Sequence, residues 1–241
     1  MEKTQISVAG LTVGIETLYG SLGTVPACYL SDSASCDFRI AVTEDDIALE
    51  RRFMQKEQPL PGADFSDAQL EFTAVYRKMA QFLPQYQAII MHGSAVAVDG
   101  AAYLFTARSG VGKTTHSRLW LKNIPGSFIV NGDKPILRVI NGQVLVCGTP
   151  WNGKEHFGTG SMVPLRAVCL LSRGAENRIE PAPFAEMLPY LLSQTYRSDD
   201  RGVFVQTLRV IGSMAEKLRF YRLSCNMEDE AALAAYRGMA Q

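Results

Sequence analysis

The 241-residue sequence predicts an α/β protein: a mixed β-sheet with flanking helices, joined to a small N-terminal antiparallel β meander. Three observations predict it. Residues 95–98 and 101–105 are apolar runs joined by Asp99-Gly100, a two-residue hairpin signal. Residues 136–140 and 144–147 repeat the pattern around Asn141-Gly142. Between these hairpins the run 101–105 leads into a glycine loop and then a helix-like stretch over residues 115–121. A strand that enters such a loop and also has a hairpin partner belongs to a mixed sheet, not an all-parallel one.

Taken in order, short β-like runs at 6–8, 11–15, 28–30 and 38–42 alternate with Gly, Pro, Ser and Asp clusters, which gives the meander. Residues 55–67 carry Pro59, Pro61 and Gly62 and read as a loop, so the expected division is a meander over 1–60 and a larger domain over 61–241. Phe72, Val75, Tyr76, Met79, Phe82 and Leu83 recur at helical spacing up to Pro84. Strands follow at 88–91, 95–98, 101–105, 128–130, 136–140, 144–147 and 165–171. Helical stripes return at Phe184, Met187, Leu188, Leu191 and Leu192, interrupted by Pro189, and at Phe204, Leu208, Ile211, Ala215 and Leu218. A last helix is expected after Asn226 as its N-cap, with Glu228 and Asp229 in the first turn.

Bulk properties narrow the function. Twenty-four basic side chains balance twenty-four acidic ones, and no dense Lys/Arg block exists, which argues against nucleic acid or an anionic membrane surface as partner. The five cysteines are scattered without a C-x-x-C pair, so neither a zinc site nor a disulfide framework is expected. The N-terminus lacks a signal pattern and no apolar run approaches a membrane span; the expectation is a cytoplasmic protein with reduced thiols.

Residues 107–114, Ala-Arg-Ser-Gly-Val-Gly-Lys-Thr, form a phosphate-loop pattern in the strand, loop, helix setting that the chemistry requires. Glycines let backbone N–H groups approach phosphate oxygens, and the following helix offers the positive end of its dipole. Arg108, Ser109, Gly110, Val111, Gly112, Lys113, Thr114 and Thr115 are therefore the candidate nucleotide-binding residues, with Lys113 on the β/γ phosphates and Thr114 on Mg²⁺. Phosphoryl transfer also needs a carboxylate, commonly at the end of the next strand. Asp133 in Phe-Ile-Val-Asn-Gly-Asp stands there, twenty residues beyond Lys113. His92 ends an earlier strand and faces either the phosphates or the sheet, while the loop over 148–156 crowds Trp151, Lys154, Glu155 and His156 together, as substrate-contacting loops do. His116 reads as a packing residue.

The segments Met91-His-Gly-Ser-Ala-Val-Ala-Val-Asp-Gly100, Tyr103 to Thr115 and Ile129-Val-Asn-Gly-Asp-Lys-Pro135 together resemble the catalytic domain of bacterial HPr kinase/phosphorylase and the wider PEP-carboxykinase-like superfamily, over roughly residues 88 to 175. The resemblance implies a mixed-sheet fold, ATP and Mg²⁺ as cofactors, Asp133 as the proton acceptor, Thr114 as a metal contact, Lys113 on the phosphates, His92 among the residues lining the transfer site, and a homo-oligomer. That family carries two adjacent Asp residues at this strand end, whereas here Gly132 precedes Asp133, and Glu155 is the candidate to complete the metal shell. Neither the family's Arg-Gly signature nor its separate N-terminal domain is found, so HPr is not the expected acceptor. The expectation is a kinase acting on a hydroxyl, serine foremost, of a peptide, protein or small metabolite, with Trp151, Lys154 and His156 on the acceptor side. The alternative is a nucleotide-binding regulatory or scaffold protein that transfers nothing.

Overall fold

The computed structural model describes residues 1–57, 65–196 and 198–240. The chain divides into two compact units, Met1–Phe82 and Leu83–Gln241. The division expected between residues 60 and 61 lies outside the described residues; the helix before Phe82 belongs to the first unit.

In the first unit β1 (Glu2–Val8) and β2 (Leu11–Thr17) form an antiparallel hairpin. Its Ala9-Gly10 turn has both φ angles positive, the mirror-image geometry that matches strand twist. β3 (Phe38–Ala41) pairs with β2 in parallel, which corrects the antiparallel meander. A tight turn would have forced antiparallel pairing; the chain instead takes residues 18–37 to return, long enough to enter from the other end. The strand expected at 28–30 is a 3₁₀ turn, Ala27–Tyr29, with Leu30 bridging to Ile6.

Two helices complete this unit. α1 (Glu44–Glu57) was not legible as a helix and occupies the start of the expected loop. A capping box opens it: the Thr43 N–H donates to Asp46 Oδ2 at 2.8 Å and the Asp46 N–H to Thr43 Oγ1 at 3.4 Å. α2 (Asp67–Phe82) carries the predicted stripe. Glu50 of α1 is buried and paired with Arg77 of α2, whose guanidinium also lies over the Phe53 ring at 4.6 Å. Glu71 is fully buried, and its carboxylate accepts the N–H groups of Leu18, Tyr19 and Ser21 at 2.5, 3.1 and 3.2 Å. The charge is thus held by backbone donors that would otherwise lie unpaired as the chain leaves β2.

The second unit is an α/β fold on one curled, mixed sheet of nine strands. In chain order its elements are β4 (Ala88–Ile90), β5 (Ser94–Val98), β6 (Ala101–Thr106), α3 (Lys113–Asn123), β7 (Phe128–Asn131), β8 (Ile136–Ile140), β9 (Gln143–Cys147), β10 (Met162–Arg173), β11 (Arg178–Pro181), α4 (Phe184–Gln194), α5 (Arg201–Ala215), β12 (Arg219–Cys225) and α6 (Glu230–Met239). The sheet runs β4-β8-β9-β10-β6-β5-β7, with β12 beside β10 and β11 beside β12. β6, β10 and β12 are mutually parallel neighbours and every other pairing is antiparallel, so both predicted hairpins are present. β11 and β12 were not legible, and α5 stops at Ala215, before Leu218.

Strand alternation sorts the core onto two faces. Ala95, Ala97, Leu104, Val168 and Phe220 pack with Met187, Leu191, Val210, Ile211 and Met214 of α4 and α5. Val96, Val98, Tyr103, Phe105 and Ala167 face Trp120 of α3 and Ala232, Ala235 and Met239 of α6. The Asp229 position, not Asn226, caps α6; Asn226 Oδ1 instead accepts the Glu228 N–H in a short turn before it. All five cysteines are free. Burial pushes the Cys147 thiol up to about 12 and Cys169 higher still, so neither is a nucleophile at neutral pH. Among the described residues no helix is long and apolar enough to cross a membrane.

Candidate active site

β5, β6 and β7 are adjacent, and their pairing gathers three chain segments at one end of the sheet. Ser94 at the start of β5 opposes Phe105 near the end of β6, and Ala95 opposes Asn131 at the end of β7. The glycine loop after β6, His92 before β5 and Asp133 after β7 must therefore converge. The contacts bear this out: the Gly93 N–H donates to the Asp133 carbonyl at 2.9 Å, and Thr106 Oγ1 donates to the His92 carbonyl at 3.0 Å.

The loop is built for close backbone approach. Gly110 and Gly112 have φ of +77° and +127°, conformations that L side chains rarely adopt. Gly112 sits at the N-cap of α3, so the loop delivers Lys113 and Thr114 into the first turn. Lys113 is 9% exposed, and its Nζ donates to the Ala107 carbonyl at 3.0 Å, folding back across the loop. Burial lowers the Lys113 pKa and Lys134 adds to that, while Asp133 opposes it. Arg108, Ser109, Gly110 and Thr115 are exposed; Val111, Gly112 and Thr114 are half-buried. Ser117, one turn further on, is buried with its hydroxyl 2.7 Å from that of Ser94, which fixes the helix to β5.

Asp133 is the electrostatic centre. His92 Nε2 lies 3.2 Å from Asp133 Oδ1, and Lys134 Nζ lies 3.5 Å from the same oxygen. Burial raises the carboxyl pKa, but the His92 hydrogen bond and the Lys134 charge outweigh it and hold the group below the usual carboxylate range. It is ionised at neutral pH. Its backbone is set by Asn131, fully buried, whose Oδ1 accepts the N–H groups of Asp133 and Lys134 at 2.9 and 2.8 Å while its amide donates to Thr149.

The loop over 148–159 lies against this turn. The Gly132 N–H donates to the Phe157 carbonyl at 2.8 Å, the Lys134 N–H to the Trp151 carbonyl at 3.1 Å, and the Thr159 N–H to the Val130 carbonyl at 3.0 Å. A Cβ on Gly132 would come within 3.0 Å of the Asn152 carbonyl and 3.2 Å of that of Phe157. A side chain at position 132 would therefore crowd the main chain of this loop, which would have to shift by a few tenths of an ångström to admit it. A Cβ on Gly153 would stand 3.2 Å from the Asp133 Cβ, so the tip of this loop reaches the acid. Trp151 is buried beneath the tip, whereas Lys154 and His156 are exposed on it.

Glu155 is engaged elsewhere: it pairs with Arg118 of α3, whose guanidinium also faces the Phe157 ring at 5.6 Å. Among the described residues no group of three His, Cys, Asp or Glu side chains is placed to hold a metal ion. Sequence reasoning passed over Lys134, Asn131 and Ser117. An Asn two residues before the acid in a turn was the one signal available for them.

His116 is 2% exposed, packed edge-on to Phe105 with centroids 4.5 Å apart, and its Nε2 accepts from Trp120 Nε1 at 3.1 Å. Its Nδ1 is buried without a hydrogen-bond partner among the described residues. Burial lowers its pKa from 6.5 to about 4. Below about pH 6.5 the unfolded chain takes up a proton that the folded chain refuses, so stability present above that pH is lost progressively down to about pH 4. The whole loss amounts to about 3 kcal/mol. Thermal unfolding of His116→Gln is therefore expected to be less sensitive than wild type to acidification from pH 7 to 4.5; parallel losses in the two proteins would show that His116 is not the group responsible.

No family model matches the chain, and no curated protein matches it. Among solved structures, the HPr(Ser) kinase/phosphatase from Coxiella burnetii is similar at a TM-score of 0.35 and 11% identity, over 61% of this chain and 95% of that one. That is a distant likeness, too low to carry fold or function across.

Proposed function

We propose that the chain is an ATP- and Mg²⁺-dependent phosphotransferase that moves the γ-phosphoryl group to a hydroxyl of a peptide, protein or small metabolite. One observation carries this reading: a positive-φ glycine loop leading into α3, with Lys113 in its first turn, shares one sheet end with an ionised Asp133 held by His92. Backbone N–H groups of residues 109–114 and the Lys113 ammonium would bind the β and γ phosphates. Asp133 accepts the hydroxyl proton as the acceptor oxygen bonds to the γ phosphorus and the bond from that phosphorus to the β–γ bridging oxygen breaks, releasing ADP. His92 and Lys134 hold that carboxylate in place.

Mg²⁺ is commonly held by one or two carboxylates together with substrate phosphates, not by a dedicated protein cage, so a site with a single acid fits it. Thr114 and Asp133 would hold the ion, which when bound neutralises phosphate charge. Trp151, Lys154 and His156 would border the acceptor. A cytoplasmic setting and a homo-oligomer belong to the same proposal.

The lone carboxylate favours a second reading, a nucleotide-responsive regulatory protein without transfer. Incubation with γ-labelled ATP, Mg²⁺ and pools of peptides and metabolites separates the two. A labelled acceptor that depends on the protein supports the kinase; ATP binding without any labelled acceptor or released phosphate selects the regulator.

A further inference from the structure

Arg173 is the last residue of β10, opposite Cys225 in the final pair of the β10/β12 ladder. Its side chain leaves that strand end and reaches the glycine loop: Nη2 donates to the Gly110 carbonyl at 2.5 Å and Nε donates to the Val111 carbonyl at 3.2 Å. β10 is the parallel neighbour of β6 and runs on past the Leu170/Thr106 pair to Arg173, so that strand end lies beside the loop. The base of the arginine is firm. The Gly174 N–H donates to the Cys225 carbonyl at 3.0 Å, and a Cβ on Gly174 would collide with Ser224 Oγ.

A loop with two positive-φ glycines and open space at both Cα positions has many conformations available to it. Binding an anion with backbone N–H groups requires one of them, and the ordering cost is subtracted from affinity. Two fork-shaped hydrogen bonds to consecutive carbonyls reduce that cost beforehand. They also engage carbonyl oxygens whose partial negative charge would otherwise be free to turn toward phosphate.

We infer that Arg173 is a positioning residue that fixes the glycine loop in its anion-binding conformation before any ligand arrives. Its effect on nucleotide affinity rests on the phosphotransferase reading; its effect on the loop does not. The test uses the full chain with Arg173→Ala, Arg173→Met, Arg173→Lys and Arg173→Gln. Without nucleotide, amide hydrogen exchange at Val111 and His116, whose N–H groups donate to the Arg108 and Gly112 carbonyls at 3.4 and 2.9 Å, is expected to rise about tenfold in the Ala and Met variants and to be largely restored by Lys and partly by Gln, each of which keeps a donor. The Kd for MgATP rises about tenfold in the Ala variant, while turnover at saturating ATP stays within about twofold of wild type.

Unchanged exchange in the Ala variant overturns the inference, even if affinity falls, since the arginine would then act as a charge on the phosphates. Gln behaving as badly as Ala in both readouts, with Lys fully active, points the same way. Wild-type protein that binds no MgATP defeats the phosphotransferase reading alone, and the exchange result still decides the role of Arg173.

Discussion

Asp133→Asn is expected to lower phosphoryl turnover by a factor of about 10³, within the range general-base catalysis supplies, and to leave MgATP affinity within severalfold of wild type. In the proposed reaction Asp133 takes the acceptor's proton, while the loop and Lys113 would supply most of the phosphate binding and an asparagine in place of Asp133 keeps an oxygen for the ion. A pH profile sharpens the test. Activity needs the ionised acid, so it falls as pH drops through the Asp133 pKa, which lies below the usual carboxylate range. His92→Ala removes the largest opposing influence and leaves burial to push the pKa up, so the acid limb of the profile moves to higher pH. Turnover retained in Asp133→Asn removes the base assignment. An unmoved acid limb in His92→Ala removes the coupling of the pair.

Trp120→Ala is expected to destabilise the second unit by about 3–5 kcal/mol, the usual cost of truncating a buried aromatic residue. Trp120 is fully buried, with Tyr103, Phe105 and Tyr236 at centroid distances of 5.2, 5.4 and 5.6 Å, and it holds the His116 ring through Nε1. Its loss leaves a cavity between α3 and β6 and strips His116 of its hydrogen bond. The change corresponds to a fall in Tm of about 10 °C for a unit of this size. Trp151, the other tryptophan of the chain, lies in the same unit and reports the transition by fluorescence. A shift of only a degree or two would mean that the aromatic cluster does not anchor the helix.

The parts of this fold that were legible announce themselves locally. Asp99-Gly100 and Asn141-Gly142 take positive φ and close hairpins, the stripe from Phe72 to Phe82 lies in α2, and the strand before Ala107 and the helix after it stand where the glycine loop requires them. What escaped depends on partners far away in sequence. α1 is mostly charged because Glu50 and Asp46 are satisfied by Arg77 and Lys78 of α2, so its buried side does not look apolar. β12 follows directly on the apolar face of α5, and the two patterns run together at Leu218. The parallel entry of β3 is a matter of chain path, on which no residue type reports.

The candidate site divides in the same way. Lys113, His92 and Asp133 stood out because each occupies the end of an element and carries reactive chemistry. Glu155, the other carboxylate singled out from its loop, is paired with Arg118 of α3, a partner that no residue of the loop announces. Arg173 gave no signal, since an arginine at a strand end gains meaning only when the neighbouring strand is known.

The close approach of the 148–159 loop to Gly132 bears on how this chain can change over generations. A single base change can turn a glycine codon into an aspartate codon, so a second acid beside Asp133 looks one step away. That step carries strain: the new Cβ would press on two carbonyl oxygens of the neighbouring loop, and those belong to main chain, not to the far end of a flexible side chain. The loop would have to give way by a few tenths of an ångström first, disturbing the hydrogen bonds that aim Asp133. A second acid at position 132 is therefore coupled to the conformation of the 148–159 loop, and its arrival would be felt at the hydrogen bonds that place Asp133.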